Sequence, residues 1–259
     1  MQKFMLWVIT AILTCSSTMF TSCSKDDNPV DPSQNLAEKI IGMWLLEGAD
    51  GEIFPTNSKA VLTISATKAN MSGSLIDTGE PTAWDEGTDF DLSIEGNHLT
   101  LTSVIDEHKT LVFELVVTSI NEQRMQANWK ITRIFNGQEE ASPWGVICFS
   151  KIRRDYSETI LGTWKNEEAR WTFKTDGTFA YYRLNDAGEW VPSEDDFAEY
   201  YVVGNLLCCR WKNTGEGQEE KRESWEIKSI KNGVMKWTAL RRQEDGSTYT
   251  ETIKTTKEE

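Results

Sequence analysis

An internal repeat constrains the fold of this chain more than any other feature of its sequence. Residues 40–44, Ile-Ile-Gly-Met-Trp, recur 120 positions later at 160–164 as Ile-Leu-Gly-Thr-Trp. Further matches have shorter offsets of 108 to 110 residues, so the first copy carries an extra loop of roughly ten residues shortly after Trp44. We therefore predict two homologous domains, at 39–153 and 158–259.

Both copies have the alternation that is typical of β-strands. In the first copy, Leu111, Phe113, Leu115 and Val117 alternate with residues of the opposite face. Dipeptides that tolerate positive φ, such as Asn-Gly at 136–137 and 232–233, separate the strand-like segments and favour hairpins. The pattern predicts about eight strands in the first copy and a similar number in the second. Those of the first copy are predicted near 40–47, 59–65, 69–76, 89–95, 98–105, 110–118, 125–135 and 144–151.

Consecutive hairpins of this kind favour a meander, and an antiparallel meander of eight strands can close into a barrel without exposed edges. The sequence therefore predicts an all-β fold of two tandem antiparallel up-and-down β-barrels of about eight strands each. The main alternative is a tandem of immunoglobulin-like sandwiches. That fold needs a buried tryptophan well inside each domain, whereas here the tryptophan opens the domain.

The Gly-x-Trp openings at 42–44 and 162–164, with the segments at 171–179 and 201–207, resemble the lipocalin-like domains of Bacteroidota lipoproteins. The second copy is similar over most of its length, while the first lacks the Asp-Gly turn of 176–177. The resemblance implies an up-and-down barrel whose function is usually unassigned. It also implies that Trp44 and Trp164 are structural plugs of the barrels rather than ligand contacts.

The N-terminus has the layout of a secretory signal peptide at 1–22. Lys3 supplies a positive start, residues 4–13 are apolar, and small polar residues lead to Cys23. Cleavage before Cys23 would free its thiol for lipidation, and each CH2 of an acyl chain contributes roughly 0.8 kcal/mol to anchoring. The alternative is an ordinary signal peptidase site, because Phe20 stands where lipoproteins usually have leucine.

The four residues after Cys23 are Ser24, Lys25, Asp26 and Asp27. They resemble the export signal that carries Bacteroidota lipoproteins to the outer face of the outer membrane. The resemblance implies a lipid-anchored protein that faces the cell exterior and has outer-membrane lipid as its partner through acylated Cys23. The lipidated segment 23–38 lacks apolar periodicity and is predicted to be a flexible tether.

Charge and motifs exclude several function classes. The formal net charge is −14, so we expect no nucleic-acid partner, because phosphate binding needs clustered Lys and Arg. The two histidines, His98 and His108, have no zinc spacing, and the acidic segments 85–91 and 194–196 do not match a calcium loop. No hydrolase or nucleotide-binding motif is present. We therefore expect no catalytic residue, metal or cofactor, and no enzymatic activity.

Two features remain as candidate sites. Trp84 and Trp190 fall in corresponding loops beside acidic and polar residues, where an indole can stack on a sugar ring, and the alternative is that each caps its own barrel. Cys208 and Cys209 are adjacent in a strand and face opposite sides, so we expect free thiols, with Cys209 in the core.

We expect a cell-surface protein that binds a small molecule, glycan or protein without catalysis. The alternative is a structural or adhesion component with filled barrels. The inward residues of the first copy (Leu62, Ile64, Met71 and Leu115) are smaller than Trp171, Phe173, Phe179 and Trp225 of the second. The first copy is therefore the better candidate for a pocket.

Overall fold

The computed structural model describes residues 35–73, 85–243 and 245–258. The predicted signal peptide at 1–22, Cys23 with its export signal, and most of the predicted tether lie outside the described residues. Within the described ranges, no helix is both long enough and apolar enough to cross a membrane. The domain boundaries at 39–153 and 158–259 stay predictions.

A short helix α1 (Leu36–Lys39) precedes the first sheet, whose strands are mostly joined by hairpins. The strands are β1 (Gly42–Ala49), β2 (Glu52–Ile53), β3 (Ala60–Ile64), β4 (Lys68–Gly73), β5 (Asp85–Glu95), β6 (His98–Val104), β7 (Lys109–Ile120), β8 (Arg124–Phe135), β9 (Gln138–Ala141) and β10 (Gly145–Ile152).

The first sheet closes on itself. β10 pairs with β1, where Lys151 lies opposite Trp44, and also with β8, where Val146 lies opposite Asn128. Eight strands thus form a closed antiparallel barrel, while β2 and β9 are short additional strands that pair with β1 and β8. Each of the eight strands predicted for this copy overlaps one strand of the barrel.

The second sheet has nine strands in the order β14-β13-β12-β11-β19-β18-β17-β16-β15. Their ranges are β11 (Gly162–Lys165), β12 (Ala169–Phe173), β13 (Phe179–Leu184), β14 (Trp190–Pro192), β15 (Asp195–Val203), β16 (Leu206–Asn213), β17 (Lys221–Lys231), β18 (Val234–Arg242) and β19 (Thr248–Lys257).

The second sheet curls round but stays open along one seam. Between β13 and β15 the described backbone has a single bridge, Thr178 with Glu199, and the Tyr200 N–H donates to the Gly177 carbonyl at 2.8 Å. β13 pairs along its free side with β14 instead of β15. The prediction of two tandem antiparallel β-barrels is confirmed, and the second barrel is a curled half-barrel.

Trp44 and Trp164 occupy equivalent positions in the two copies. Both indoles are fully buried. The Trp44 Nε1–H donates to the Ile40 carbonyl at 2.7 Å, and the Trp164 Nε1–H donates to the Ile160 carbonyl at 2.5 Å. Each indole therefore places its large apolar area in the core and satisfies its polar atom locally, which is how a buried tryptophan avoids an unpaired donor.

The glycine two residues before each tryptophan has no side chain, and this leaves space for a lysine side chain from the last strand of the same half. Gly42 and Gly162 have φ values of 122° and 108°, a region that residues with a Cβ atom rarely adopt. A Cβ atom on Gly42 would lie 2.9 Å from the Lys151 Nζ atom. Lys151 Nζ lies 4.1 Å from the centroid of the Trp44 ring, and Lys257 Nζ lies 5.3 Å from that of Trp164. The repeat thus preserves a cation–π contact as well as the indole.

The outer faces of the two sheets contact each other through an apolar cluster. Its buried members come from both sheets: Leu45, Val61 and Ile152 from the first, and Leu206 and Cys208 from the second. Burial of this kind removes apolar surface from water, which is the main favourable contribution to such a contact.

The segment between β1 and β3 forms the polar part of the same contact. It holds β2 and a 3₁₀ turn (Thr56–Ser58), whereas only residues 166–168 separate β11 from β12. The extra loop that the repeat offset predicts is therefore confirmed. The Thr56 hydroxyl accepts a hydrogen bond from the Leu240 N–H at 2.8 Å, and the Asn57 side chain accepts one from the Ser224 N–H at 2.9 Å.

A buried ion cluster lies beside this turn. Lys59 is 3% exposed and its Nζ atom forms salt bridges with Glu47 and, at 2.9 Å, with Glu226 of the second half. Glu226 also pairs with Lys228. Burial lowers the pKa of Lys59, but the two carboxylates outweigh it and the pKa is raised. Burial raises the pKa of Glu226, but the two lysines outweigh it and the pKa is lowered. Both groups are therefore charged at neutral pH.

Candidate functional site

The interior of the first barrel contains a cavity of about 990 Å³. Inward-facing apolar side chains from most of its strands line it, and these include Leu46, Ala60, Leu62, Met71, Phe90, Leu111, Phe113, Leu115, Trp129, Ile131, Ile147 and Phe149. An eight-stranded barrel is just wide enough either to be filled by its side chains or to hold one small ligand. This barrel is hollow toward one end, while Leu62, Phe90 and Leu115, each at most 2% exposed, are closely packed.

The size of the inward side chains explains why the first barrel is hollow. Leu62, Met71 and Leu115, which the sequence analysis singled out as small, line the cavity, while Ile64 is buried in the core outside it. In the repeat, Leu62 corresponds to Trp171 of the second copy. Smaller side chains leave volume that close-packed interiors normally fill.

The mouth of the cavity includes residues of the second half. Leu240, Arg241 and Arg242 near the end of β18, and Tyr249 on β19, line the cavity together with Pro55, Asn57 and Ser58 of the first half. The β18–β19 hairpin of the second half therefore forms one side of the entrance to the first barrel. A ligand that fills the entrance would contact both halves.

The charged residues that line the cavity are mostly cationic. Among the described residues, they comprise the cations Lys109, Arg133, Arg241 and Arg242 and the carboxylate of Glu52. Arg242 pairs with Glu52 at 3.7 Å, and Arg241 pairs with Glu223 at 2.6 Å. Lys109 begins β7 and Arg133 lies near the end of β8, at the same end of the barrel. A positive rim on a chain of net charge −14 favours an anionic group at the mouth.

The half-barrel holds a different concavity, which we call the trough, with a volume of about 690 Å³. Its floor is aromatic and includes Trp171, Phe179, Tyr181, Trp211, Trp225 and Trp237. Its walls follow the open seam, because β13, β14 and the start of β15 all contribute residues. The seam that keeps the second sheet from closing is therefore also what exposes this aromatic surface.

Of the two tryptophans proposed as ligand contacts, Trp190 lies within the described residues. Trp190 is half-buried at the start of β14 and lines neither concavity, while its neighbours Val191 and Pro192 line the trough. Trp84 lies outside the described residues. Trp44 and Trp164 lie in the cores of the first and second sheets, respectively.

The histidines and thiols show no catalytic arrangement among the described residues. His98, at the start of β6, lies 3.7 Å from Glu114, and His108, in the turn before β7, lies 3.2 Å from Glu107. In the same ranges, no three His, Cys, Asp or Glu side chains gather as a metal site would require.

Cys208 and Cys209 are free thiols on opposite faces of β16. Cys209 belongs to the core of the second sheet, as expected, and Cys208 belongs to the cluster between the two sheets. Burial raises the pKa of both thiols, so the reactive thiolate is disfavoured at each.

Sequence reasoning identified part of these surfaces. Alternation singled out Trp171 and Trp225 as inward-facing, and the same alternation along β16 and β18 applies to Trp211 and Trp237. The mouth residues Arg242 and Tyr249 carry no such signal, because they reach the cavity only through the docking of one sheet on the other.

The chain matches no known family model, and no curated protein is significantly similar to it. Its function is therefore inferred from the shape and lining of the barrel cavity and of the trough.

Proposed function

We propose that this protein binds a small amphipathic molecule, without catalysis, inside the first barrel. The observation that carries the proposal is the apolar cavity of about 990 Å³ within a closed ring of eight strands. Sites for small molecules usually have volumes of about 300 to 1,000 Å³ and are lined mainly by apolar and aromatic side chains. Its volume falls at the upper end of that range.

The lining supports a particular class of ligand. The interior walls are apolar, while Lys109, Arg133 and Arg242 lie at the rim. A molecule with a long or polycyclic apolar body and one carboxylate would bury the body among the leucines and leave its charge beside the cations. Fatty acids and bile acids have this chemistry.

The cellular setting belongs to the same proposal. Acylation of Cys23, followed by the export signal at 24–27, would hold the barrels at the outer face of the outer membrane on the tether 23–38. A Cys23→Ser variant tests the anchor. It is expected to lose incorporation of labelled palmitate and to leave the membrane fraction, while a Cys15→Ser variant keeps both. Retention of the label by Cys23→Ser would contradict the anchor.

Ligand binding is tested with saturated fatty acids of increasing length and with the matching alcohols. A ligand at one hundred times its dissociation constant stabilises the folded state by about 2.7 kcal/mol, which thermal unfolding detects. Leu115→Trp fills the cavity and is expected to abolish the shift. Val116→Trp, next to it on the outer face of β7, is the matched control and should retain the shift.

The rim is tested separately. Lys109→Gln combined with Arg242→Gln should weaken carboxylate binding about three- to tenfold, because exposed charge pairs contribute about 0.2 to 1 kcal/mol each. Alcohol binding should be unchanged, and Lys254→Gln, an exposed lysine of β19, serves as the control. If no carboxylate or alcohol shifts the melting temperature, the proposal fails and a structural or adhesion role takes its place.

A further inference from the structure

The trough of the half-barrel has the features of a second binding site, separate from the cavity of the first barrel. Its floor holds indoles at close angles to one another. The Trp171 and Trp237 rings lie 5.2 Å apart with planes at 78°, and those of Trp225 and Trp237 lie 5.5 Å apart at 44°. Trp171 and Trp211 are half-buried, so each keeps part of its surface accessible.

One polar atom in this floor lacks a partner. Trp237 is 2% exposed and lines the trough, and its Nε1–H has no hydrogen-bond acceptor in the described protein. The neighbouring Trp225 differs, because its side chain donates a hydrogen bond to the Glu223 carboxylate. A buried donor left unpaired costs about 1 to 3 kcal/mol, so an acceptor brought by a ligand would remove this penalty.

The wall along the seam presents alternating donors and acceptors. The Asn213 side-chain amide donates to Asp195 at 2.7 Å, and the Ser193 hydroxyl donates to the same carboxylate at 3.1 Å. Lys221 donates to the Asn213 carbonyl oxygen at 3.2 Å. Such a row of groups is held in position by its own hydrogen bonds and can pair with hydroxyl groups, which both donate and accept.

The charges around the trough balance. Among the described residues, Asp195, Glu223 and Glu251 line it with Arg183 and Lys221, and Arg241, which lines the barrel cavity, pairs with Glu223 and Glu251. Unlike the rim of the first barrel, this surface therefore favours neither an anion nor a cation. Its polar wall also disfavours a purely apolar ligand, which would leave those groups without water.

We infer that the trough binds a neutral saccharide, with a sugar ring stacked on a half-buried indole and its hydroxyls paired with the seam wall. The flat apolar face of a pyranose matches an indole, and its hydroxyls match the Ser193, Asp195 and Asn213 groups. A saccharide oxygen is also an acceptor of the kind that the Trp237 N–H lacks.

The test is isothermal titration calorimetry of the full chain with neutral mono- and disaccharides, with glucuronate as the anionic counterpart. Trp211→Ala should weaken saccharide binding about tenfold or more. Trp190→Ala is the matched control, since Trp190 lies outside the trough, and it should bind as the unaltered chain does. Asp195→Asn keeps the shape of the wall and should also weaken binding.

Several outcomes would overturn the inference. These are the absence of heat with any neutral saccharide at millimolar concentration, equal losses in Trp211→Ala and Trp190→Ala, or binding of free nucleobases in preference to sugars. The Leu115→Trp variant separates this site from the barrel cavity. Saccharide binding that persists when fatty-acid binding is lost would assign the two ligands to two sites.

Discussion

The two halves of this protein have the same strand connections but enclose space differently. In the first, β4 pairs with β5 and the ring closes round an apolar cavity. In the second, the corresponding β13 and β15 share one bridge, and the aromatic interior opens to solvent along the seam. The comparison shows that two copies of one strand arrangement can enclose two unlike concave surfaces, because they differ in one strand pairing and in their inward side chains.

The inward side chains are larger in the second half than in the first. Leu62 and Ile64 of the first copy correspond to Trp171 and Phe173 of the second. The aromatic side chains pack against one another in the half-barrel, with the Phe173 and Trp237 rings 6.1 Å apart. Larger side chains thus occupy the volume that remains open in the first half.

The largest effect is expected from removing the plugs, which the two halves share. Trp44→Ala and Trp164→Ala should each lower the free energy of unfolding by about 3 to 5 kcal/mol, because each leaves a cavity in a packed core. Urea unfolding followed by circular dichroism measures the loss. Trp190→Ala is the control, with a loss within about 0.5 kcal/mol. If alanine lowers the stability at only one of Trp44 and Trp164, the two tryptophans do not have equivalent roles in the two copies.

The second effect concerns the contact between the halves. Lys59→Met should cost up to about 3 kcal/mol, because it removes the cation that half-buried Glu47 and buried Glu226 share, and Glu226 then keeps only Lys228. Adding Glu226→Gln to this variant should recover part of the loss. Lys254→Gln, on the exposed surface, should unfold like the unaltered chain. If the double variant is less stable than Lys59→Met alone, the unpaired carboxylate of Glu226 is not the cause of the loss.

Acid should weaken the same contact by a smaller amount. The pKa of Glu226 is lowered in the folded protein, so its contribution is complete above its unfolded pKa of about 4.3 and is lost as pH falls through the folded pKa. The unfolding free energy of the unaltered chain should therefore fall more steeply below that pH than that of Glu226→Gln. If the unaltered chain and Glu226→Gln have equal pH profiles in guanidinium unfolding, Glu226 does not contribute to the loss of stability in acid.

The smallest effect is expected in the hydrogen exchange of the strands beside the open seam of the second sheet. Backbone amides of β14 and β15, the edge strands of the second sheet, should exchange hydrogen at least about tenfold faster than those of β4 and β5, since an open edge lacks a neighbouring ladder. Hydrogen exchange with mass spectrometry gives both rates in one experiment, and β17 and β18, which pair on both sides, are the internal reference. Equal protection of β15 and β5 would indicate that the seam closes in solution.

Much of the fold followed from local patterns in the sequence. Period-two alternation predicted the barrel strands, the repeat predicted two copies, and the change of offset predicted the segment that holds the 3₁₀ turn Thr56–Ser58. Small inward residues such as Leu62 indicated which copy is hollow. These features depend on residues that are close in sequence or paired in a hairpin, so local sequence patterns can predict them.

What the sequence did not reveal depends on contacts between distant surfaces. Lys59 begins a predicted strand and carries no sequence signal of burial, because it is covered by the second sheet, and Cys208 resembles an outward strand residue for the same reason. The open seam was also missed, because alternation assigns a face to each residue but does not specify which strand pairs across the final edge.

The shared entrance of the first barrel has a thermodynamic corollary. Arg242 and Tyr249 belong to one half, while the walls behind them belong to the other. If a molecule binds in the cavity as proposed, its affinity and the association of the two halves are reciprocally linked. Interactions that hold the halves together then strengthen binding, and binding strengthens the contact between the halves by the same factor. Loosening the Lys59 cluster should accordingly speed the release of a molecule that Lys59 never touches.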